Sequence, residues 1–257
     1  MKAERHLPSD RLKPFVKAFM LIESEDGTVN HILPDTSLTL AFGTAGTVAY
    51  VEEDGHTRLP VSVITGLRKT SRQLEYAKNS ATLVVQFNEA GAASFFREPL
   101  HELFGVSVSL DTLIPRRKLD EVEDRLAEAN RYAQRIAVVE RFMLSQLKEP
   151  DSDRLIRKTV QAIKFANGDI RIKDLVADLP ISQDAFEKRF RRIIGTSPKQ
   201  FAKIVRFRNV ISQVPQRKSL TDAALTAGYF DQAHFIKDFE AFTGKTPKDF
   251  FQSPAFW

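Results

Sequence analysis

The first part of the chain, up to about Leu113, carries apolar residues in the alternation that is typical of half-buried strands. Leu38, Leu40 and Phe42 are separated by small or polar residues, and side chains two positions apart share one face of a strand. Similar runs, with turn-like segments between them, occupy 37–42, 47–51, 61–67 and 82–87. The pattern predicts an antiparallel β-barrel-like domain, either closed or sandwiched.

A helical spacing replaces this alternation further along the chain. Apolar residues three or four positions apart, interrupted at Glu140, continue over Leu119, Val122, Leu126, Ala129, Ala133, Ile136, Met143 and Leu147. We therefore expect a helical tail over 119–147, and two shorter helical pieces at 90–99 and 100–105. The tail has two interpretations: a coiled-coil seam of a homodimer, or a helix or hairpin that lies against the strands.

A polar segment divides the chain into two predicted domains. KEPDSD, at 148–153, holds one Pro and no apolar periodicity, so we expect a first domain at 1–148, a linker at 149–153 and a second domain at 154–257. Asp153 is placed to cap a helix that Gly168 ends. The remaining pattern is helical, which makes the second domain all-α and the fold class α+β.

The second domain repeats one pattern 49 residues apart. Phe186, Phe190, Gly195, Pro198 and Phe201 recur as Phe235, Phe239, Gly244, Pro247 and Phe250. Such a repeat identifies the structural unit. Each copy contains an apolar supporting helix, a turn and a second helix, capped by Ser182 in one copy and by Asp231 in the other. We interpret each copy as a helix-turn-helix, with a linking helix over 198–214 between them.

Each second helix presents an outward face of the kind that a recognition helix offers to the major groove. In the first unit it holds Gln183, Asp184, Glu187, Lys188 and Arg191; in the second it holds Gln232, Ala233, Ile236 and Lys237. Lysine and arginine can donate to guanine or phosphate, glutamine can pair with adenine, glutamate can accept from cytosine, and isoleucine can touch a thymine methyl. We predict that these residues contact DNA. The alternative is that they are ordinary solvated faces.

Three further polar residues of this region have two possible roles. Ser182, Arg206 and Arg208 either contact phosphate or brace the two units, and Arg206 and Arg208 flank the buried stripe of the linking helix. The sequence leaves both roles open.

Two long passages carry a family resemblance. DLVADLPISQDAFEKRFRRIIGTSPKQFAKIVRFR and LTDAALTAGYFDQAHFIKDFEAFTGKTPKDF, within residues 154–251, resemble the DNA-binding domain of the AraC family of bacterial transcription regulators. The A-x-x-x-G-[YF]-x-D-x-x-x-F-x-x-x-F-x-x-x-x-G-x-x-P block at 224–247 is the most specific part. The resemblance implies two helix-turn-helix units that enter adjacent major grooves of promoter DNA. The chain departs from the family pattern at Pro180, where Gly is usual, and at Phe250-Phe251, where Tyr-Arg is usual.

The amino-terminal half resembles the sensor half of one AraC-type subgroup. Segments 6–23, 32–42 and 95–114 carry this resemblance, which implies a small β-barrel-like domain that binds an effector or dimerises the protein. Two groups of residues are candidates for an effector site. Phe42, Phe95, Phe96 and Phe104 either line an apolar pocket or form ordinary core. Arg68, Lys69 and Arg72 either meet an anionic effector or form a solvated loop.

Charge and composition narrow the class of protein. Residues 154–257 hold 19 basic and 10 acidic residues, a net charge of +9, whereas residues 1–153 hold 19 and 23, a net charge of −4. This asymmetry favours a polyanionic partner for the second half. The chain has no cysteine, no apolar run of membrane-spanning length and no apolar leader, so we expect a cytoplasmic protein without membrane contact.

Nothing in the sequence indicates an enzyme, a metal site or a cofactor. The histidines of the first half, His6, His31, His56 and His101, are scattered singly, whereas metal sites cluster such ligands. Nucleophile and dinucleotide fingerprints are absent.

We therefore expect a sequence-specific transcription regulator that binds double-stranded promoter DNA. A small-molecule effector, a homodimer and RNA polymerase are its further expected partners. The alternative is a helical adaptor that binds an acidic protein, with a front domain that binds a small molecule.

Overall fold

The computed structural model describes residues 1–148, 153–177, 179–213, 228–229 and 231–252. The strands are β1 (Lys2–His6), β2 (Val16–Ser24), β3 (Thr28–Ile32), β4 (Thr39–Ala45), β5 (Val48–Glu52), β6 (Gly55–Arg58), β7 (Ser62–Thr65), β8 (Arg72–Tyr76), β9 (Ser80–Phe87) and β10 (Ser107–Ser109). The α-helices are α1 (Arg116–Glu128), α2 (Tyr132–Gln146), α3 (Arg154–Phe165), α4 (Ile172–Ala177), α5 (Gln183–Ile194), α6 (Pro198–Gln213), α7 (Gln232–Thr243) and α8 (Pro247–Gln252).

The strands form two antiparallel sheets, and the α+β class is confirmed. One sheet has the order β1-β2-β9-β4-β7-β10 and the other has the order β3-β8-β5-β6. The alternation in β4 has the expected effect, because Leu40 and Phe42 are buried, and Leu40 pairs with Val85 on one side and Ile64 on the other. The sheets face each other without closing, so the domain is a sandwich and not a closed barrel.

The helical tail is a hairpin, which confirms one of the expected forms. α1 ends at Glu128 and α2 starts at Tyr132. The break has a local cause: Gln134 Oε1 accepts from the backbone N–H of Asn130 at 3.2 Å and of Arg131 at 3.1 Å, which begins a new helix. Most of the predicted apolar face is buried within the chain, but Ala133 is exposed. Phe142, outside that predicted set, lies edge-on to Phe42 with ring centroids 5.9 Å apart. The homodimer remains a prediction.

Two 3-10 helices, Ala92–Ser94 and Leu100–Leu103, stand where two short helical pieces were expected. Around them Phe42, Phe95 and Phe96 are buried and Phe104 is half-buried against the same core. Phe95 and Phe96 both pack against the ring of Phe87, with centroids 5.5 Å and 6.3 Å apart. Their role as core is therefore confirmed.

The repeated residues of the second domain are buried or capping positions. Phe186 and Phe190 of α5 contact each other at 5.7 Å, and Phe235 and Phe239 of α7 repeat this contact at 5.5 Å. Each helix ends at a glycine in the left-handed region, Gly195 with φ 94° and Gly244 with φ 71°. A residue with a Cβ is strained in this conformation. The repeat thus preserves a scaffold.

α3 begins and ends where the sequence predicted. The Asp153 carboxylate accepts from Ile156 N at 3.1 Å, and Gly168 follows the helix with φ 78°. Predicted elements at 149–152 and 220–227, which are most of the linker and the supporting helix of the second unit, lie outside the described residues.

The two halves of the chain contact each other. α5 packs on the 3-10 helix Leu100–Leu103, and one continuous set of buried apolar residues runs from the sheets into α3, α5 and α6. Lys164 on α3 pairs with Glu89 at 2.5 Å. The domain boundaries themselves remain a prediction.

Candidate functional site

The first candidate recognition helix, α5, is anchored on one side and exposed on the other. Ser182 Oγ caps it by accepting from Ala185 N at 3.2 Å, which satisfies an otherwise orphan donor at the helix start. Phe186, Phe190 and Ile194 are buried. Of the predicted DNA-contacting residues, Gln183, Asp184, Lys188 and Arg191 are exposed and Glu187 is half-buried.

The charges on this face pair with one another. Lys188 Nζ lies 2.9 Å from Asp184, and Arg191 lies 3.9 Å from Glu187, which also accepts from Gln183 at 3.2 Å. Two acids and two bases leave the face without net charge. Exposed pairs of this kind contribute about 0–1 kcal/mol, so an incoming phosphate or base can replace them at little cost.

The second candidate recognition helix, α7, has the same anchoring and a different face. The Asp231 carboxylate accepts from His234 N at 2.7 Å. Gln232, Ala233 and Lys237 are exposed and Ile236 is half-buried. No carboxylate of the described residues pairs with Lys237, so its ammonium group is available to a ligand.

Arg206 on the linking helix α6 joins the two units. Its guanidinium group donates to Gly168 O at 3.0 Å, to Asp169 Oδ1 at 2.9 Å and to Gly228 O at 3.5 Å. The same group stands 5.5 Å from the centroid of the Tyr229 ring. Because these partners belong to both units, the contacts are those of a bracing residue.

Arg208, two residues further along, points to the amino-terminal domain. Its Nη2 lies 2.8 Å from Asp35 Oδ2. Both residues line a cavity of about 320 Å³ between the two sheets. In this arrangement Arg208 connects α6 to the amino-terminal domain.

The cavity also contains Arg68, one of the three residues of the basic cluster. Arg68 is only 6% exposed, and its Nη2 donates to Tyr50 Oη at 2.7 Å and lies 3.4 Å from Ser107 Oγ. Lys69 is exposed, and Arg72 lies outside the cavity lining, 3.8 Å from Glu52. The interpretation of all three as a solvated loop is therefore wrong for Arg68.

Two family models match the chain. Residues 175–253 match a helix-turn-helix domain, and residues 4–109 match a domain of unknown function, DUF6597. The first match spans both phenylalanine-anchored units and the helix between them. The carboxy-terminal part of the chain is an AraC-type helix-turn-helix domain.

No curated protein matches the chain. Among solved structures it is similar to ToxT from Vibrio cholerae, at 10% identity and TM-score 0.49, over 99% of this chain and 100% of ToxT. A fatty-acid-bound ToxT is similar at 11% identity and TM-score 0.45, over 97% and 96%. The AraC-like transcriptional activator CuxR is similar at 12% identity and TM-score 0.25, over 83% and 87%. At these values the likenesses carry no weight for function.

The AraC-type domain places the protein among DNA-binding transcription regulators, which are generally not enzymes. Within the described residues, no helix is long and apolar enough to cross a membrane. The same ranges hold no group of three or more His, Asp or Glu side chains arranged for a metal ion.

The AraC-type domain touches the sheets again at the end of α7. Ser71, in the loop before β8, donates its N–H to Phe242 O at 2.7 Å and its hydroxyl to Thr243 O at 3.0 Å. The last carbonyls of a helix have no partner within the helix, so Ser71 serves as a cap for α7. Sequence reasoning missed this contact, because its partners lie 172 residues apart.

Proposed function

We propose that this protein regulates transcription by reading promoter DNA with α5 and α7 and that its amino-terminal domain senses a small-molecule effector. The observation that supports the first part most strongly is the paired construction of the helices. Each has a capped start and buried phenylalanines on one side, and each has polar residues on the other side. The rigid α6 between them, 16 residues and about 24 Å long, suits a pair of helices that must reach successive major grooves.

The two faces read different bases in this proposal. Glutamines pair with adenine, Glu187 accepts from cytosine, Ile236 touches a thymine methyl, and the cationic residues donate to guanine or phosphate. The predicted set is Gln183, Asp184, Glu187, Lys188, Arg191, Gln232, Ala233, Ile236 and Lys237. Because these faces differ between the units, one protomer should protect an asymmetric sequence.

Footprinting of the full chain on promoter fragments from its own genome tests this proposal. We expect protection of two successive major grooves on one face of the DNA. Lys237→Ala should weaken this protection, and Lys17→Ala, an equal loss of charge on β2 and remote from the recognition helices, should not. If the protein binds DNA without sequence preference, the alternative function, a helical adaptor that binds an acidic protein, would be favoured.

The sensing role rests on the cavity and on the contacts between the cavity wall and the DNA-binding domain. The cavity lies between sheets, has the volume of a small-ligand site, about 300–1,000 Å³, and is lined by Asp35, which holds Arg208 of α6. A ligand that displaces Asp35 would release α6 from the sheets. A homodimer and contact with RNA polymerase complete the proposal, since a dimer would place four recognition helices on the promoter.

A further inference from the structure

The cavity contains a buried positive charge without a negative partner. Arg68 is 6% exposed, and no carboxylate of the described residues lies within ion-pairing distance of its guanidinium group. Arginine does not shed its proton in proteins, so the charge cannot be removed by titration. An unpaired buried charge is costly, and the contact with the Tyr50 ring, 5.4 Å from the guanidinium carbon, offsets only part of the cost.

The backbone holds Arg68 in this position. Gly66 N donates to Val106 O at 3.1 Å, and Gly105 N donates to Leu67 O at 2.7 Å. Gly66 lies so close to the backbone of Leu103 that a Cβ on residue 66 would stand 1.9 Å from Leu103 O. The guanidinium group is thus fixed by its surroundings before any ligand arrives, which lowers the ordering cost of binding.

Other polar groups in the cavity wall also lack partners. Ser37 Oγ and Thr82 Oγ1 are buried, line the cavity and have no hydrogen-bond partner among the described residues. Such groups are usually satisfied in folded proteins. Burial raises the pKa of the Tyr76 hydroxyl in the same wall to about 12, so this group remains a neutral donor.

The charged groups around the cavity favour an anion. Its wall includes the cations Arg58, Arg68 and Arg208 and the single carboxylate Asp35, which Arg208 already neutralises. The rest of the wall is mainly aliphatic, from residues such as Met20, Ile22, Leu74 and Val84. A singly charged, planar carboxylate matches the guanidinium fork, and its desolvation costs less than that of a doubly charged phosphate.

We propose that the cavity binds a monocarboxylate with an apolar body and that Arg68 holds its carboxylate group. This inference rests on the sensing role proposed above and names the chemical class of the effector. An apolar cavity of 150 Å³ accepts benzene, so one of about 320 Å³ accepts roughly a dozen non-hydrogen atoms.

Calorimetry on the full chain with matched ligand pairs tests the assignment. The probes are 4-phenylbutanoate and octanoate, each beside its neutral amide, which has the same number of non-hydrogen atoms. A hydrogen-bonded charge pair in a buried site corresponds to about ten- to a hundredfold in affinity, and we expect each carboxylate to exceed its amide by that factor. Equal affinities of acid and amide, or no binding of either carboxylate at millimolar concentration, would overturn the proposal.

Variants separate Arg68 from the other cations. Arg68→Gln should remove the preference for the acid, and Arg68→Lys should keep part of it. Lys17→Gln, an equal loss of charge at an exposed position outside the cavity lining, should leave it unchanged. A preference for the acid that survives in a folded Arg68→Gln protein would contradict the role of Arg68. If Arg68→Gln does not fold, loss of the preference in Lys17→Gln would contradict that role instead, because the preference would then come from the general surface charge. The calorimetric measurement uses no DNA. Failure of the carboxylate proposal is therefore distinguishable from failure of the proposed DNA binding, which the footprint tests.

Discussion

Removal of the Arg206 side chain should loosen the connection between the two DNA-reading units. The guanidinium group touches Gly168 and Asp169, which follow α3, and Gly228 and Tyr229, which precede α7. No other described side chain donates to carbonyls of both segments. Arg206→Ala therefore tests whether the linking helix fixes the distance between the recognition helices.

The size of the effect follows from these contacts. The bonds from the charged group to backbone carbonyls contribute about 1.5–3 kcal/mol, and the face of Tyr229 adds about 0.5–1 kcal/mol. The pair with Asp169, which is 58% exposed, adds at most about 0.5–1 kcal/mol. The buried Nε of Arg206 has no partner among the described residues, which lowers the sum. We expect a loss of about 2–4 kcal/mol in the free energy of unfolding.

The assay combines urea denaturation with DNA binding. Arg157→Ala, on the exposed side of α3, is the matched control and should change the urea midpoint little. Affinity of Arg206→Ala should fall more for DNA that carries both half-sites than for DNA that carries one, because the units no longer bind as one preorganised body. Equal losses on both DNAs, or an unchanged urea midpoint, would refute the bracing role.

Three further substitutions probe the domain. Lys237→Ala should weaken specific binding by about 1–3 kcal/mol in gel-shift titrations; equal affinity on all promoter variants removes it from the reading set. Gly168→Ala should lower stability by more than the ~1–3 kcal/mol of backbone strain, because a Cβ would stand 2.2 Å from Ala202 O; an unchanged denaturation midpoint would contradict this close approach. Asp184→Asn frees Lys188 for phosphate and should steepen the salt dependence of binding by about 0.9; an unchanged slope argues that Lys188 does not reach the backbone.

The parts of the fold that sequence predicted are those with a local cause. Ser182 and Asp231 stand directly before their helices, and each side chain accepts a hydrogen bond from the backbone N–H three residues further along. The capping pattern in the sequence was therefore enough to predict where both helices begin. β4 alternates clearly and was found. β2, VKAFMLIES, is apolar on both faces over much of its length because it is an inner strand, and it lacks the alternation that marks a strand.

Features that depend on residues far apart in the sequence could not be predicted from the sequence pattern. Arg68 belongs to a basic run that resembles a surface loop, and its burial depends on Tyr50 and Ser107, which lie 18 and 39 residues away in sequence. The break between α1 and α2 has a local cause, one glutamine side chain, but the apolar spacing around it is regular and left a helix and a hairpin both open. The outward residues of α5 and α7 could be placed on exposed faces, and their contacts with DNA remain predictions.

The loop that carries Arg68 and Ser71 limits how freely the amino-terminal domain could be exchanged for that of another regulator. Three positions separate the side chain inside the cavity from the cap on α7. A chimera that joins another regulator's front domain to residues 154–257 would restore the covalent connection and lose this second, non-covalent one. Graft experiments should therefore yield hybrids that bind promoter DNA but ignore their ligand, unless the 66–71 loop and the end of α7 are transplanted together.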